Sequence, residues 1–268
     1  MASQTHILCF VNNKGGSGKT TTCANIGYSL GSLGYKVLLI DGDMQLNLSL
    51  AYFDEEFVLE TAKSDKNLYN AIKYQKDLSD YIVPTRYPNI NMILSSTLMS
   101  AIEYELFTKW QREYILKNGL KTIVETNEYD YILIDSPPTL GGWVMNILCA
   151  SHYMITPVEA SPWGLFGLAN LFDFLNDIKY VTPDLQMLGV CITKADSRKN
   201  YLKQTLTALQ ELKHTHVFET YIKVDSAIEW SQENGKPVMD YKKSSRSAME
   251  YLSLSKEVVN RVNQQQEH

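Results

Sequence analysis

The sequence has 268 residues, of which 44% are hydrophobic and 21% are charged, and its formal net charge is −5. This composition is typical of a globular protein with a sizeable core, and it excludes a disordered or fibrous chain. The acidic balance argues against a chain that is basic throughout, as constitutive nucleic-acid binders are, but it allows a local basic face.

Short aliphatic or β-branched runs alternate with longer segments of helical periodicity, which is typical of a parallel sheet covered by helices. The predicted strands are residues 6–12, 37–41, 90–94, 131–135, 153–158, 188–193 and 217–222. The predicted helices are residues 20–33, 100–126, 143–150, 165–179, 199–212 and 244–262. We therefore predict an α/β fold, with a single domain over residues 1–268 built on a mostly parallel, doubly wound sheet.

Residues 53–88 are the one irregular region of this pattern. They carry mixed charge, Pro84 and Pro88, and a single short helical piece around residues 67–74. We interpret this region as an elaboration at the edge of the sheet rather than a separate domain.

Neither a membrane span nor a secretory leader is predicted. No run of 18 apolar residues occurs, and the short polar N-terminus leads directly into a strand-like run. The four cysteines are scattered and form no C-x-x-C pair. We expect them to be buried thiols in a reducing compartment, which predicts a cytoplasmic protein.

A glycine-rich segment follows the first predicted strand and opens the first predicted helix, which is the context that a phosphate-binding loop requires. In this loop Lys19 is placed to hold phosphates and the Thr20 hydroxyl to bind Mg²⁺. The strict P-loop pattern fails at Asn13, which replaces its first glycine, and an additional lysine, Lys14, follows. The predicted nucleotide-binding residues of the loop are Gly15, Gly16, Ser17, Gly18, Lys19, Thr20 and Thr21.

Acidic residues end two of the predicted strands. Asp41 and Asp43 follow the second strand, and Asp135 ends the strand at 131–135. In an open parallel sheet, ligands bind beyond the carboxyl ends of the strands, where these side chains are expected. We expect Asp135 to hold Mg²⁺ through water while Thr20 binds it directly, and Asp43 to orient an attacking water.

With these motifs the sequence resembles the ParA/MinD family of deviant Walker ATPases. Five blocks carry the resemblance in the family's order and span nearly the whole chain, and the second and fourth are more similar to the ParA partition branch. The blocks are residues 14–21, 41–47, 135–141, 192–200 and 235–238 with Tyr241.

The resemblance implies a weak Mg²⁺-dependent ATPase that forms a nucleotide sandwich dimer. Lys14 would then reach the phosphates of the partner subunit, Lys19 would hold the phosphates of its own subunit, and Asp43 would position water. Thr20 and Asp135 would bind Mg²⁺. The expected adenine contacts are Thr193, Lys194, Ile222 and Val224.

The resemblance also implies non-specific DNA binding by the ATP dimer, a ParB-like partner that stimulates hydrolysis, and association with the nucleoid in the ATP state. The expected DNA-contacting residues are Arg198, Lys199 and Lys203, with Lys242, Lys243 and Arg246 as further candidates. The stretch 222–231 departs from the family pattern, because Ala227 stands near the position of an expected arginine. That departure weakens the DNA prediction and leaves the catalytic one intact.

Other functions fit the sequence less well. A MinD-like membrane switch needs a basic, bulky amphipathic C-terminal helix, whereas residues 258–264 carry a single arginine and no aromatic residue. A nitrogenase-iron-protein-like reductase needs paired cysteines, and Cys149 has no evident second partner. A ligase of the dethiobiotin synthetase type would not carry the blocks at 41–47 and 192–200. The alternative that stays open is a nucleotide-gated dimeric adaptor that acts on a protein track instead of DNA.

Overall fold

The computed structural model describes residues 4–161, 164–196, 201–211 and 216–266. Its strands are β1 (His6–Phe10), β2 (Val37–Asp41), β3 (Val83–Pro84), β4 (Ile90–Ile93), β5 (Tyr131–Asp135), β6 (Tyr153–Glu159) and β7 (Gln186–Thr193). They form a seven-stranded sheet with the order β3-β4-β2-β5-β1-β6-β7. Only the edge strand β3 is antiparallel to its neighbour. The predicted α/β class with a mostly parallel sheet is confirmed.

Helices connect and cover the strands. In chain order they are α1 (Lys19–Ser32), α2 (Asn47–Leu50), α3 (Glu55–Lys63), α4 (Leu68–Lys73), α5 (Ile102–Phe107), α6 (Ile115–Gly119), α7 (Lys121–Thr126), α8 (Gly142–Ala150), α9 (Gly164–Ile178), α10 (Tyr201–Glu211), α11 (Ser226–Glu233), α12 (Val238–Tyr241) and α13 (Arg246–Gln266). Within the part of the chain that the structure describes, no helix is long and apolar enough to cross a membrane.

Each face of the sheet buries its own hydrophobic core. In β1, Ile7 and Cys9 belong to one core, and Leu8 and Phe10 belong to the other. Successive side chains of a strand point to opposite faces, so a strand that is covered on both sides needs apolar residues at every position. This explains the continuous apolar runs and confirms the doubly wound arrangement. All four cysteines are buried free thiols, as predicted.

The helices α1 and α13 cover the same face of the sheet. Val259 and Val262 of α13 are buried there, and Leu252 packs against the same core, so these residues form an apolar stripe on the last helix. Helix α1 lies very close to the strands, because a Cβ at Gly31 would come within 2.6 Å of Ile90 Cγ1.

The predicted strand at 217–222 is wrong. Only isolated parallel bridges form, between Val190 and Val217 and between Ala195 and Lys223. Between these bridges the backbone N–H groups of Glu219 and Thr220 donate to a side chain of α13 instead of to β7. A tertiary contact that the local pattern does not encode thus replaces the strand.

The single helix predicted at 100–126 is also wrong. The segment contains α5, α6 and α7, with 3₁₀ turns at Thr97–Ala101 and Arg112–Tyr114. Asn146 of α8 causes one of the breaks, since its side chain accepts from Leu116 N and donates to the Arg112 carbonyl. Gln111, with φ of 49°, starts the second turn in the left-handed region. The apolar periodicity of the segment is present, but it is divided among the three short helices α5, α6 and α7.

The irregular region at 53–88 contains the edge of the sheet and more helix than predicted. The expected piece near 67–74 is α4, whose N-cap Asn67 accepts from Asn70 N. Helix α3 was not predicted, and neither was β3. Pro84 lies in β3, and an edge strand tolerates a residue that lacks the N–H donor.

The close approach of α1 to the sheet predicts the effect of one methyl group. Gly31→Ala improves helix propensity, yet its Cβ would collide with Ile90, so we expect unfolding free energy to fall by about 1–3 kcal/mol. Urea unfolding measures this change. Ser32→Ala, at the exposed neighbouring position, is the control and should stay within about 0.5 kcal/mol of the parent. A more stable Gly31→Ala protein would contradict the packing described here.

Candidate active site

The loop between β1 and α1 lies at the carboxyl edge of the sheet. Gly16 and Gly18 have φ angles of 73° and 91°, a conformation that glycine adopts without strain. The Thr193 hydroxyl at the end of β7 donates to the Ser17 carbonyl at 2.8 Å, which anchors the loop to the sheet. The loop therefore presents its backbone at the N-terminus of α1, where anions bind favourably.

Lys19 is the buried cation of this site. Its side chain reaches back across the loop, where Nζ donates to the Lys14 carbonyl at 3.4 Å, and the residue is 6% exposed. Burial lowers the pKa of its ammonium, and the charges of Asp135 and Asp43 oppose that shift. A phosphate group placed in the loop would supply further negative charge to this ammonium.

Asp135 and Thr20 form the candidate metal position. Thr20 Oγ1 donates to Asp135 Oδ2 at 2.6 Å, and Asp135 Oδ1 is buried without a hydrogen-bond partner among the described residues. Burial, with the nearby charge of Asp41, raises the pKa of Asp135 well above its usual range. A divalent cation at the free oxygen would offset this penalty, so the residues fit Mg²⁺.

The protein offers few ligands of its own there. Among the described residues, no group of three or more His, Cys, Asp or Glu side chains is arranged to hold a metal ion. Mg²⁺ commonly keeps several waters and takes its remaining ligands from one or two protein groups and from phosphate oxygens. The pair of Thr20 and Asp135 matches that mode of binding.

The acidic residues that end β2 differ in their surroundings. Asp41 is fully buried and accepts hydrogen bonds from Ser49 N, Ser49 Oγ and Asp43 N, and burial raises its pKa to about 6. Asp43 instead lines the cavity described below and accepts from Gln45 N at 3.1 Å. Asp41 therefore braces the turn that presents Asp43.

Lys14, the additional lysine of the loop, is held at the rim of the site. Its Nζ lies 2.6 Å from Glu159 Oε2 and 3.1 Å from Ser161 Oγ. Glu159 ends β6, and both side chains of the ion pair remain about one-quarter exposed. Lys14 does not line the cavity that contains Lys19. The two lysines of the loop thus face different surroundings.

A cavity of about 730 Å³ extends from this loop along the carboxyl edge. The residues predicted to contact adenine, Thr193, Lys194, Ile222 and Val224, all line it. Sequence reasoning missed a second group of lining residues, which come from α11, the turn before α12, and α13, and include Ile228, Gln232, Pro237 and Tyr251. The capping residue Asp225, which accepts from Ala227 N, was the available signal for α11.

The structure describes some of the residues expected to contact DNA. Arg198 and Lys199 lie outside the described residues. Lys203 is exposed on α10, and Lys242 and Lys243 are exposed before α13. Arg246 is not an isolated surface cation, because its guanidinium donates to the Val224 carbonyl and lies 3.6 Å from Glu250.

Known proteins are similar to this chain over most of its length. A family described as an AAA domain matches residues 5–187. The sporulation initiation inhibitor protein Soj of Bacillus subtilis is 33% identical, covering 94% of this chain and 97% of Soj. The chromosome partitioning protein ParA of Myxococcus xanthus is 30% identical, covering 95% of this chain and 88% of that protein.

Among solved structures, the chain is similar to cobyrinic acid a,c-diamide synthase of Mycobacterium smegmatis with a bound ATP analogue and magnesium. The TM-score is 0.79 at 25% identity, and the match covers 94% of this chain and 93% of the other.

The burial of Lys19 predicts the consequence of its removal. Lys19→Ala leaves the loop without its ammonium and the neighbouring carboxylates without a counter-charge, so we expect ATP affinity to fall about 100-fold or more. Isothermal titration calorimetry with MgATP measures the change. Lys63→Ala, which removes an exposed lysine, is the control and should bind ATP as the parent does. Retained affinity in Lys19→Ala would refute the phosphate-binding role of the loop.

Proposed function

The chain belongs to the ParA/MinD family of P-loop ATPases, and we propose that it is a ParA-type partition ATPase with slow intrinsic turnover. The observation that carries the proposal is that Lys19, Thr20 and Asp43 line one cavity at a glycine-rich loop, while Asp135 accepts a hydrogen bond from Thr20 and its charge acts on Lys19. The ligands of this site are ATP and Mg²⁺, in agreement with the ligands of the similar synthase structure.

In this proposal each residue of the site has one role in ATP hydrolysis. The loop backbone and Lys19 bind the phosphates, and Thr20 with Asp135 holds the metal. Asp43 accepts a hydrogen bond from the attacking water, whose oxygen bonds to the γ-phosphorus while the bond to ADP breaks. Bound Mg²⁺ supplies charge neutralisation on the phosphate oxygens.

We assign Lys14 to the phosphates of a second subunit. Its position at the rim, outside the cavity of its own subunit and paired only with partly exposed groups, supports a role in trans. An ammonium delivered across a dimer interface would stabilise charge that develops during phosphoryl transfer. This assignment makes the active form a nucleotide-dependent homodimer.

The role of Asp43 predicts separation of binding from hydrolysis. Asp43→Ala removes the water acceptor but leaves the loop, Lys19 and Asp135 in place, so we expect ATP affinity within about threefold of the parent. Hydrolysis should fall about 100-fold. Phosphate release measured with saturating MgATP tests this, and Asp54→Ala, at an exposed N-cap, is the control. Parental turnover in Asp43→Ala would contradict the assignment.

We propose that the ATP-bound protein binds DNA non-specifically and uses it as its track, and that it therefore localises to the nucleoid. We also propose that a ParB-like activator stimulates its ATP hydrolysis. The partition role named for the Myxococcus relative supports this choice, as does Lys203, which is exposed and closely follows Arg198 and Lys199 in the sequence. The adaptor on a protein track is the second candidate. It is favoured by Ala227, which stands near the expected arginine and is 3% exposed, so it offers no contact to DNA.

A mobility shift on random-sequence duplex separates these two candidates. We expect binding with MgATP only, weakening steeply with salt, because each phosphate contact releases counterions. The double variant Arg198→Ala with Lys203→Ala should bind more weakly and reduce the salt slope by about 2. Lys36→Ala, at an exposed lysine just before β2, is the control. Absence of a shift in every nucleotide state, with an ATP dimer present by light scattering, would select the protein-track adaptor.

A further inference from the structure

One wall of the cavity is a segment without regular structure. Residues 222–225 line the cavity and lie beside the carboxyl end of β7. Ile222 N donates to the Ile192 carbonyl and Val224 N to the Ala195 carbonyl. These bonds fix one side of the segment to β7, but its other side needs partners elsewhere.

The start of α13 supplies those partners. Glu250 Oε2 accepts from Lys223 N at 2.9 Å, and Glu250 Oε1 lies 3.7 Å from Lys223 Nζ. Arg246 donates to the Val224 carbonyl, and Asp225 Oδ2 accepts from Ser247 N at 3.1 Å. Three successive residues of the wall, Lys223 to Asp225, are therefore held by the first turns of one helix.

The chemistry of the cavity distinguishes its two ends. The lining near the loop carries Lys19 and backbone donors, which suit a polyphosphate. Another part of the lining carries the apolar side chains of Val224, Ile228 and Pro237, which suit a planar base. The side chain of Glu250 is 13% exposed and is not part of the cavity lining. Any effect of Glu250 on a bound base would therefore pass through the wall segment.

We propose that Glu250 is a positioning residue for the nucleoside half of the ligand: by holding Lys223 N and Lys223 Nζ, it fixes the wall against which the base packs. This inference rests on the proposed ATP-binding function. Loss of the carboxylate leaves Lys223 N without its acceptor and Arg246 without its ion pair, which frees the wall to move. The phosphate loop has no bond to Glu250 and keeps its anchor at Thr193.

The two halves of the ligand can be tested separately by comparing MgATP with inorganic tripolyphosphate, which lacks the base and the ribose. For Glu250→Ala we expect ATP affinity to fall about tenfold and tripolyphosphate affinity to stay within twofold of the parent, both by calorimetry. For Glu250→Gln, whose amide oxygen still accepts from Lys223 N but carries no charge, we expect a loss of about threefold for ATP alone.

Glu257 provides a matched control on the same helix. It also accepts backbone N–H groups from the segment after β7, those of Glu219 and Thr220, but that part of the segment does not line the cavity. Glu257→Ala should bind both ligands as the parent does. This comparison separates a defined effect on the wall from a general loss of α13 packing.

Each outcome has a distinct meaning. Equal losses of ATP and tripolyphosphate affinity in Glu250→Ala, or no loss in either, would overturn the positioning role. If Glu250→Ala does not fold, Glu250→Gln decides by the same comparison. If the wild-type protein binds neither ligand, the proposed function itself is refuted. If the wild-type protein binds both ligands and the Glu250 variants bind them equally well, only the positioning role is refuted.

Discussion

The buried charge at the carboxyl edge of the sheet is the constraint on which the rest of the structure depends. A buried ammonium is stable only when opposite charge lies close to it, and Lys19 meets that requirement through Asp135 and Asp43. These carboxylates in turn are costly to bury, which raises their pKa values. The strands and the start of α1 must therefore bring opposite charges to one edge with little freedom, and a sheet buried on both faces provides that rigidity.

The junction of β2 and β5 shows how closely this edge is built. Asp41 and Asp135 are register partners at the ends of these strands, and a Cβ at Gly42 would lie 2.5 Å from the Asp135 carbonyl oxygen. Trp143 Nε1 donates to the Gly42 carbonyl at 2.9 Å. The backbone that carries Asp43 is thus held on one side by β5 and on the other by α8. These contacts fix the position of Asp43 relative to that of Asp135.

The parts that could be predicted from the sequence are those encoded by local pattern. β2 and β5 have the predicted bounds because continuous apolar runs specify strands buried on both faces, and the glycine-rich loop identified Lys19 and Thr20. The breaks in the segment 100–126 could not be predicted, since Asn146 causes one of them from a distant position in the chain. The lining of the cavity was predicted only in part, because one of its walls is held by side chains of α13. Tertiary hydrogen bonds, rather than propensity, decide both cases.

The two lysines of the loop illustrate why similar residues in one motif can serve different tasks. Lys19 is buried among carboxylates, so exchanging its partners would leave charges unpaired in a poorly solvated site. Lys14 is paired with a partly exposed Glu159, and ion pairs of that kind contribute about 1 kcal/mol or less. Such a pair is exchanged at small cost when stronger acceptors arrive. In the proposed dimer, the phosphates of the second subunit are acceptors of that strength, so the weakness of the Lys14–Glu159 pair is what makes Lys14 available to them.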